Sequence, residues 1–203
     1  MTTELCDLDS QRLREAIQTM YTRVVMEPHG TFHFHRGPRY ATAVLGYSTA
    51  ALATLPEEVT AAFSGIGNPL RVAQLRRGMT VVDVGCGAGL DLLLAARAVG
   101  PNGRAIGIEM TDAMAARARR AAHTAGLENV EVRGGDAIAL PVDAETADVV
   151  MSNGVLNLIP EKEIAVREMH RVLKPGGQLL LADIALETAV PDEARRDIDL
   201  WTA

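Results

Sequence analysis

The sequence predicts an α/β fold in which helices cover both faces of a parallel β-sheet. Short apolar runs typical of strands alternate with helical patterns between residues 80 and 184, and this order produces parallel strands joined by right-handed crossovers. A glycine-rich turn joins the first strand to the first helix of the series, and polar residues follow four strands. Because ligands bind beyond the carboxyl ends of parallel strands, the pattern predicts a binding site there.

An acidic residue and a glycine-rich turn end the first strand, in the run VVDVGCGAGLD. Glycine permits a sharp turn and the close approach of a ligand. The dinucleotide fingerprint G-x-G-x-x-G fits poorly because the third glycine falls one residue early. Asp83 would repel a pyrophosphate and suits a positive amino or sulfonium group, so the turn favours S-adenosylmethionine over NAD. The predicted cofactor-binding residues of this segment are Asp83, Gly85, Cys86, Gly87 and Gly89.

The second and third strands also end beside residues suited to that cofactor. A second strand is predicted over 104–109, and Glu109 lies twenty residues past the last glycine of the turn. An acid at this position can hold two ribose hydroxyls. Met110 could pack on the adenine face through its thioether. A third strand is predicted over 129–133, and Asp136 after it could accept a hydrogen bond from the adenine amino group.

A fourth strand is predicted over 147–152, directly before Asn153. A fifth is predicted over 178–184, after a break at Lys174-Pro175-Gly176-Gly177. The helices expected between strands cover 90–99, 113–125 and 161–173. The polar residues expected to converge on one edge of the sheet are Asp83, Glu109, Asp136 and Asn153.

Residues 70–184 resemble a class I S-adenosylmethionine-dependent methyltransferase, whose fold is Rossmann-like. The matching runs, in family order, are DVGCGAG, GIEMT, GGDAIALP, DVVMSNGVLNL and RVLKPGGQLLLADI. The resemblance implies that the glycines of the turn surround the methionine part of the cofactor and that Glu109 binds the ribose. It also implies that Asp136 and Ala137 contact the adenine edge, and that Asn153 lies near the methionine carboxylate or amine.

The segment before residue 70 is similar to the arsenite methyltransferase group. Its runs LGYS, LPEEV and FSGIGNP carry this resemblance, together with SNGVLNL further along the chain. Members of that group bind trivalent arsenic through cysteine thiolates, which are soft ligands for a soft centre. Ile66 and Gly154 stand where the group's motifs have cysteine. Of the two cysteines present, Cys6 is near the N-terminus and Cys86 is expected to be a buried packing residue. The resemblance therefore implies the scaffold and the cofactor, without the arsenic chemistry.

The composition limits the classes of partner. With 203 residues and 48% hydrophobic content, the chain can form one domain with a substantial core. The net charge of −6 argues against a nucleic-acid partner, whose phosphates demand a basic face. No apolar run approaches membrane-spanning length, and the N-terminus lacks a signal-peptide pattern. Two cysteines fit a reducing compartment, so a cytoplasmic location is expected.

Residues 1–69 are predicted to form a helical cap, or lid, on a methyltransferase domain at 70–203. Apolar residues at helical spacing between residues 10 and 26 predict an amphipathic helix that could cover the cofactor cleft. His33 and His35 would share one face of a strand, close to His29. A metal site is disfavoured because no nearby acid or cysteine completes it, so we expect a lid with packing or substrate-contacting imidazoles.

No catalytic residue follows directly from the sequence. If the acceptor is a hydroxyl or an amine, His33, His35 or Tyr40 could assist in removing its proton. Tyr40 and Tyr47 could also line the acceptor pocket, or anchor the lid through their hydroxyls.

The carboxyl end is shorter than that of class I methyltransferases, which have two further strands in an edge hairpin. Residues 187–203 are expected to form a helix whose apolar stripe consists of Ala194, Ile198 and Trp201. The strand pair is therefore expected to be missing. The helix is expected either to cover the sheet edge or to pair with another subunit, giving a homodimer.

Taken together, the patterns predict an enzyme that transfers a methyl group from S-adenosylmethionine to a small-molecule acceptor. Three alternatives stay open: a non-catalytic cofactor-binding or regulatory subunit, an arsenite methyltransferase with an atypical site, and an NAD-dependent oxidoreductase. The last is disfavoured by Asp83 and by the glycine spacing. No nucleic-acid, membrane or metal partner is predicted.

Overall fold

Five parallel strands form the sheet of the computed structural model, which describes residues 9–27, 30–188, 190, 191, 193 and 197–202. The strands are β1 (Thr80–Val84), β2 (Arg104–Glu109), β3 (Val130–Gly134), β4 (Ala147–Asn153) and β5 (Leu173–Ala182). Their spatial order is β3-β2-β1-β4-β5, and every pairing is parallel. The chain thus builds one side of the sheet outward from β1 and then the other side. The predicted parallel sheet is confirmed.

Helices lie on both faces of this sheet, as predicted. The helices are α1 (Ser10–Met26), α2 (Pro38–Ala43), α3 (Thr49–Leu52), α4 (Glu57–Ala62), α5 (Leu90–Val99), α6 (Asp112–Thr124), α7 (Lys162–Val172) and α8 (Ile198–Thr202). Neighbouring residues of β1 face opposite layers: Val81 packs with Val99 of α5, and Val82 packs with Met169 of α7. This two-sided burial explains why β1 is an unbroken apolar run before its acid.

The N-terminal segment packs over the glycine-rich turn that follows β1. Val24 and Val25 of α1 share a core cluster with Met114 of α6, and Tyr47 and Phe63 belong to a second cluster that includes α5. Asp9 is the N-cap of α1, and its side chain accepts hydrogen bonds from the backbone amides of Gln11 and Arg12. The segment predicted to be a lid therefore contributes to the core. A domain division between residues 69 and 70 stays a prediction.

The start of β5 differs from the prediction, since the strand begins at Leu173 and not at Gln178. Leu173 pairs with Ala147 of β4 and Gln178 pairs with Val149, so the residues between them form an irregularity within the strand. The Lys174 ammonium donates to the Asp148 carboxylate of β4 at 2.8 Å, and this contact attaches the irregular part of β5 to β4. The segment 174–177, predicted to separate the helix from the strand, therefore lies within β5, and α7 ends at Val172 directly before that strand.

The predicted strand at His33 and His35 is wrong. Both residues are exposed and lie in irregular chain. The intervening Phe34 is drawn towards α1, where its ring stacks on Tyr21 at 6.1 Å between centroids. His35 instead lies against Tyr40, with 5.2 Å between ring centroids. Within the part of the chain that the structure describes, no three His, Cys, Asp or Glu side chains group to hold a metal ion. Cys6 and His29 lie outside the described residues.

The C-terminal helix α8 contacts α1 and the 3₁₀ turn Leu156–Leu158. The Lys162 ammonium lies 5.0 Å from the centroid of the Trp201 ring. Leu181, near the end of β5, and Ile184, just after the strand, are exposed. That this segment covers the sheet edge stays a prediction, and Ala194 lies outside the described residues. No described helix is both long and apolar enough to cross a bilayer.

Candidate active site

A cavity opens at the carboxyl ends of β1, β2 and β4, where the order of the strands reverses. This is the position at which parallel sheets bind ligands. Residues of α1, α4 and the following loop cover it, including Ile17, Val59 and Phe63. The sequence-predicted residues that line the cavity are Asp83, Gly85, Cys86, Gly87, Glu109, Met110, Asp136, Ala137 and Asn153. The predicted convergence of polar residues on one edge of the sheet is thus observed.

Asp83 presents a buried carboxyl group to the cavity. Its side chain is 2% exposed, and its Oδ2 atom has no hydrogen-bond partner in the protein. Burial, together with the negative charges of Asp91 and Glu109, raises the pKa of Asp83 well above its usual value. A buried oxygen of this kind requires a partner. A cationic group of a ligand would supply both the hydrogen bond and the compensating charge.

The glycine-rich turn brings the backbone close to the cavity. Gly85 has φ +71°, and a side chain there would collide with Val155. Gly89 has φ +99° and does not line the cavity. It packs against Ala118 of α6, where a Cβ atom would lie 3.2 Å from the alanine methyl. The contact of Gly89 with the cofactor therefore stays a prediction.

Cys86 is buried against β2. A side chain on Gly107 would lie 2.7 Å from the Cys86 sulfur, so the absence of one makes room for the thiol. Burial raises the pKa of the thiol well above its usual value, the negative charges of Asp83 and Glu109 adding to the effect. The expected role as a small packing residue agrees with this environment.

Glu109 ties the glycine-rich turn to the start of α6. Its Oε2 atom accepts a hydrogen bond from the Gly87 amide at 2.9 Å, and its Oε1 atom accepts one from the Thr111 amide at 2.8 Å. Burial nevertheless raises the pKa of this carboxyl. A carboxylate oxygen can accept more than one hydrogen bond, so the group remains suited to ligand hydroxyls.

At the other end of the cavity, α1 is attached to the rim by polar side chains. The Arg14 guanidinium donates through Nε to Asp136 Oδ2 at 2.7 Å, and its Nη2 atom lies 3.4 Å from Glu161. Gln18, one turn further along α1, donates to the Met110 carbonyl at 3.0 Å. Arg14 and Gln18 were missed from the sequence, where both read as the polar flank of an amphipathic helix.

Asn153 lines the cavity, but its amide is fully used within the protein. Its Oδ1 atom accepts from the Ile66 and Gly67 amides at 2.9 and 3.0 Å. Its Nδ2 atom donates to the Gly67 carbonyl and to Asp91 Oδ2, each at 2.9 Å. Sequence reasoning did not identify Asp91 as a residue of this site. The Tyr47 hydroxyl donates to Asp91 Oδ1 at 2.6 Å and so anchors the N-terminal segment.

The three predicted candidates for proton removal, His33, His35 and Tyr40, do not line the cavity. Tyr21 and Ser64 do line it. Burial, with a smaller effect of the Glu109 charge, raises the pKa of Tyr21 to about 12. The sequence signal for Tyr21 is its spacing: it follows Ile17 by four residues and so lies on the same face of α1.

A family model described as a methyltransferase domain matches residues 75–202 of the chain. The chain belongs to this methyltransferase family. The predicted methyltransferase is thereby confirmed.

Two arsenite methyltransferases are among the relatives of this chain. That of Halobacterium salinarum is 40% identical over 158 residues, which are 78% of this chain and 40% of the relative. That of Aquipseudomonas alcaligenes is 34% identical over 168 residues, which cover 79% of this chain and 48% of the relative. The demethylmenaquinone methyltransferase of Staphylococcus aureus is 37% identical over 117 residues, covering 58% and 46%. The chain thus spans about half the length of the curated relatives it matches.

A solved structure gives the same relationship. The crystal structure of an arsenic(III) S-adenosylmethionine methyltransferase from Chlamydomonas reinhardtii superimposes with a TM-score of 0.66 at 34% identity. The match covers 72% of this chain and 51% of that one. The comparisons together confirm the predictions of a class I S-adenosylmethionine-dependent methyltransferase, of its Rossmann-like fold and of its cofactor. They also confirm the predicted resemblance to the arsenite methyltransferase group.

Proposed function

We propose that this chain binds S-adenosylmethionine in the cavity and transfers its methyl group to a small organic acceptor. The observation that carries the proposal is the buried carboxyl of Asp83, which has an unpartnered oxygen and lines the same cavity as Glu109. When bound, the cofactor supplies a methyl group that is already activated by a sulfonium. The protein must therefore hold donor and acceptor in line and exclude water, and good alignment alone contributes roughly 7–11 kcal/mol.

Each part of the cofactor has a matching group on the cavity wall. Asp83 is suited to the ammonium of the methionine part, and Glu109 to the two ribose hydroxyls. Met110 and Ala137 offer apolar surface for the adenine ring. Asp136 can accept from the adenine amino group through the lone pairs that Arg14 leaves free.

The acceptor is proposed to be organic because the positions related to arsenic binding are apolar here. Ile66 and Gly154 lie against each other: a Cβ atom on Gly154 would be 3.5 Å from Ile66 Cγ1. No thiol stands at either position. The neighbouring cavity wall is also apolar, through Val155, Leu158 and Ile159. This surface favours an uncharged carbon skeleton near the methyl donor.

Calorimetry with S-adenosylmethionine, S-adenosylhomocysteine and NAD tests the cofactor. We expect micromolar to millimolar binding of the first two and none of NAD, whereas binding of NAD alone would contradict the proposal. Transfer of a labelled methyl group to arsenite and to a panel of small organic acceptors tests the reaction. Label in an organic product supports the proposal. Label in arsenite alone, or cofactor binding with no transfer, would favour the atypical arsenite enzyme or the non-catalytic subunit.

Pairing of two copies through the C-terminal helix stays a prediction. We also propose that the exposed apolar residues at the end of β5 and just after it take part in this pairing. Leu181, Ile184 and Leu186 are 43%, 55% and 66% exposed. An uncovered strand edge invites association. Sedimentation should show a dimer that Leu181→Lys converts to a monomer. A strict monomer at high concentration would contradict this arrangement.

A further inference from the structure

We infer that Asp91 is a second carboxylate for the cationic methionine end of the cofactor, and that the Tyr47 hydroxyl is its positioning group. This inference rests on the proposed function, because it assumes that S-adenosylmethionine occupies the cavity. It assigns a cofactor-site role to the N-terminal segment, to which Tyr47 belongs.

Asp91 is fixed from two directions that are far apart in sequence. It lies in the first turn of α5, lines the cavity and is 5% exposed. Tyr47 donates to one carboxylate oxygen at 2.6 Å, and Asn153 donates to the other at 2.9 Å. These contacts fix the orientation of the carboxylate but leave it one free lone pair on each oxygen. The Tyr47 ring is itself held by an edge contact with Phe63, with 5.3 Å between centroids.

Three buried acids therefore surround this part of the cavity: Asp83 from β1, Asp91 from α5 and Glu109 from β2. Among the described residues that line the cavity, Arg14 alone has a cationic side chain, and this side chain is paired with Asp136 and Glu161. Within this described lining, no cationic side chain is thus left to pair with the three acids. A ligand that carries an ammonium and a sulfonium compensates their negative charge, and a neutral ligand does not.

The hydrogen bonds decide whether Asp91 carries its charge. Burial raises the pKa of Asp91 to about 6, although the bonds from Asn153 and Tyr47 act in the opposite direction. Burial and the charges of Asp91 and Asp83 raise the pKa of the Tyr47 phenol, so the hydroxyl stays protonated and remains a donor. Without that donor, the pKa of Asp91 would rise further and the group would lose its charge near neutral pH.

The test compares two ligands in calorimetric titrations. S-adenosylmethionine carries the ammonium, whereas 5′-methylthioadenosine has the adenine, the ribose and a thioether without the amino acid. We expect Tyr47→Phe to weaken binding of S-adenosylmethionine about tenfold at pH 7, the effect of one hydrogen bond to a charged group. Binding of 5′-methylthioadenosine should change less than twofold. Tyr40→Phe, which removes a hydroxyl outside the cavity, is the matched control and should change neither.

A pH series separates positioning from a merely structural role. For the wild type, affinity for S-adenosylmethionine should rise between pH 5 and pH 7 as Asp91 ionises. In Tyr47→Phe the midpoint of this rise should move upward by about half a unit or more. Asp91→Asn should bind S-adenosylmethionine weakly and show a flatter rise, and it keeps the test valid if Tyr47→Phe unfolds.

Equal affinity of wild type and both variants for S-adenosylmethionine would overturn the inference. So would an equal loss for both ligands, because that result indicates general damage to the cavity. If the wild type binds neither ligand, the proposed function fails and the inference fails with it. That outcome is distinguishable because no variant is needed to observe it.

Discussion

The two walls of the cavity are held together in different ways. On the sheet wall, formed by the ends of β1 and β2, Glu109 is fixed by the backbone amides of Gly87 and Thr111, which lie 22 and 2 residues away along the chain. On the N-terminal wall, Arg14 and Tyr47 reach Asp136 and Asp91 through single side-chain contacts between distant parts of the chain. Backbone contacts make the sheet wall rigid and locally encoded. The N-terminal wall depends on a few polar side chains, so substitutions should affect the two walls differently.

The largest effect is expected for Gly85→Ala on the sheet wall. Gly85 combines φ +71° with a collision between any added Cβ atom and Val155. The backbone strain and the overpacking together should lower the free energy of unfolding by roughly 2–4 kcal/mol. Gly87→Ala is the control, since its φ is +54° but nothing lies within 4 Å of the added atom. Urea unfolding should show a clearly smaller loss for Gly87→Ala, and equal losses would refute the steric account.

Asp83→Asn and Glu109→Gln should each weaken S-adenosylmethionine binding by roughly 1.5–3 kcal/mol. The first variant loses the negative charge beside the ammonium, and the second loses the charged acceptor of the ribose hydroxyls. Isothermal titration measures the change. Unchanged melting temperatures would show that the fold is intact. Normal affinity in both variants would mean that the sheet wall does not hold the cofactor.

The buried Asp91 should make the cofactor-free protein less stable as pH rises. Its pKa is about 6 in the folded chain and 3.8 as the ordinary value, so the folded state binds the proton more tightly. The resulting stabilisation is present below pH 4 and is lost as pH rises through about 6. Relative to Asp91→Asn, the wild type should lose on the order of 1–3 kcal/mol between pH 4 and pH 7. Denaturation curves with parallel pH dependence would contradict this.

A smaller effect is expected for Arg14→Ala on the N-terminal wall. The Arg14 side chain is 29% exposed, so its ion pair with Asp136 should contribute at most about 1 kcal/mol. Loosening α1 should raise the dissociation rate of S-adenosylmethionine two- to fivefold in stopped-flow experiments. Arg12→Ala, at an exposed position of the same helix, should leave the rate unchanged. Identical rates in both variants would show that α1 does not restrain the cofactor.

The smallest effects are expected for His33→Ala and His35→Ala, which lie outside both walls of the cavity. Turnover with the proposed organic acceptor should stay within twofold of the wild type. A tenfold loss in either variant would restore these histidines as candidates for proton removal.

The contrast between the walls also explains what could be predicted from the sequence. Asp83 and Glu109 were found because they end strands that local apolar patterns define, next to glycines of the same unit. Arg14 could not be found, because its partner Asp136 is 122 residues away and either residue alone reads as a solvated charge. The sequence suggests Tyr47 as an anchor, but its partner Asp91 gives no signal, because an acid in the first turn of a helix is common.

The strands show the same limit. Patterns within one segment predicted β2 over the residues observed, because burial on both faces determines its composition. The start of β5 was misplaced because Lys174 is held by Asp148 of the neighbouring strand. The course of the chain near His33 likewise depends on Phe34 packing against Tyr21 of α1. In both places, contacts between segments outweigh the local glycine, proline or alternation signal.

A crystal structure of the chain soaked with S-adenosylhomocysteine tests the central claim most directly. The account predicts the ammonium between the carboxylates of Asp83 and Asp91, with the ribose hydroxyls on Glu109. A ligand bound elsewhere, or one with its ammonium turned away from both aspartates, would contradict it.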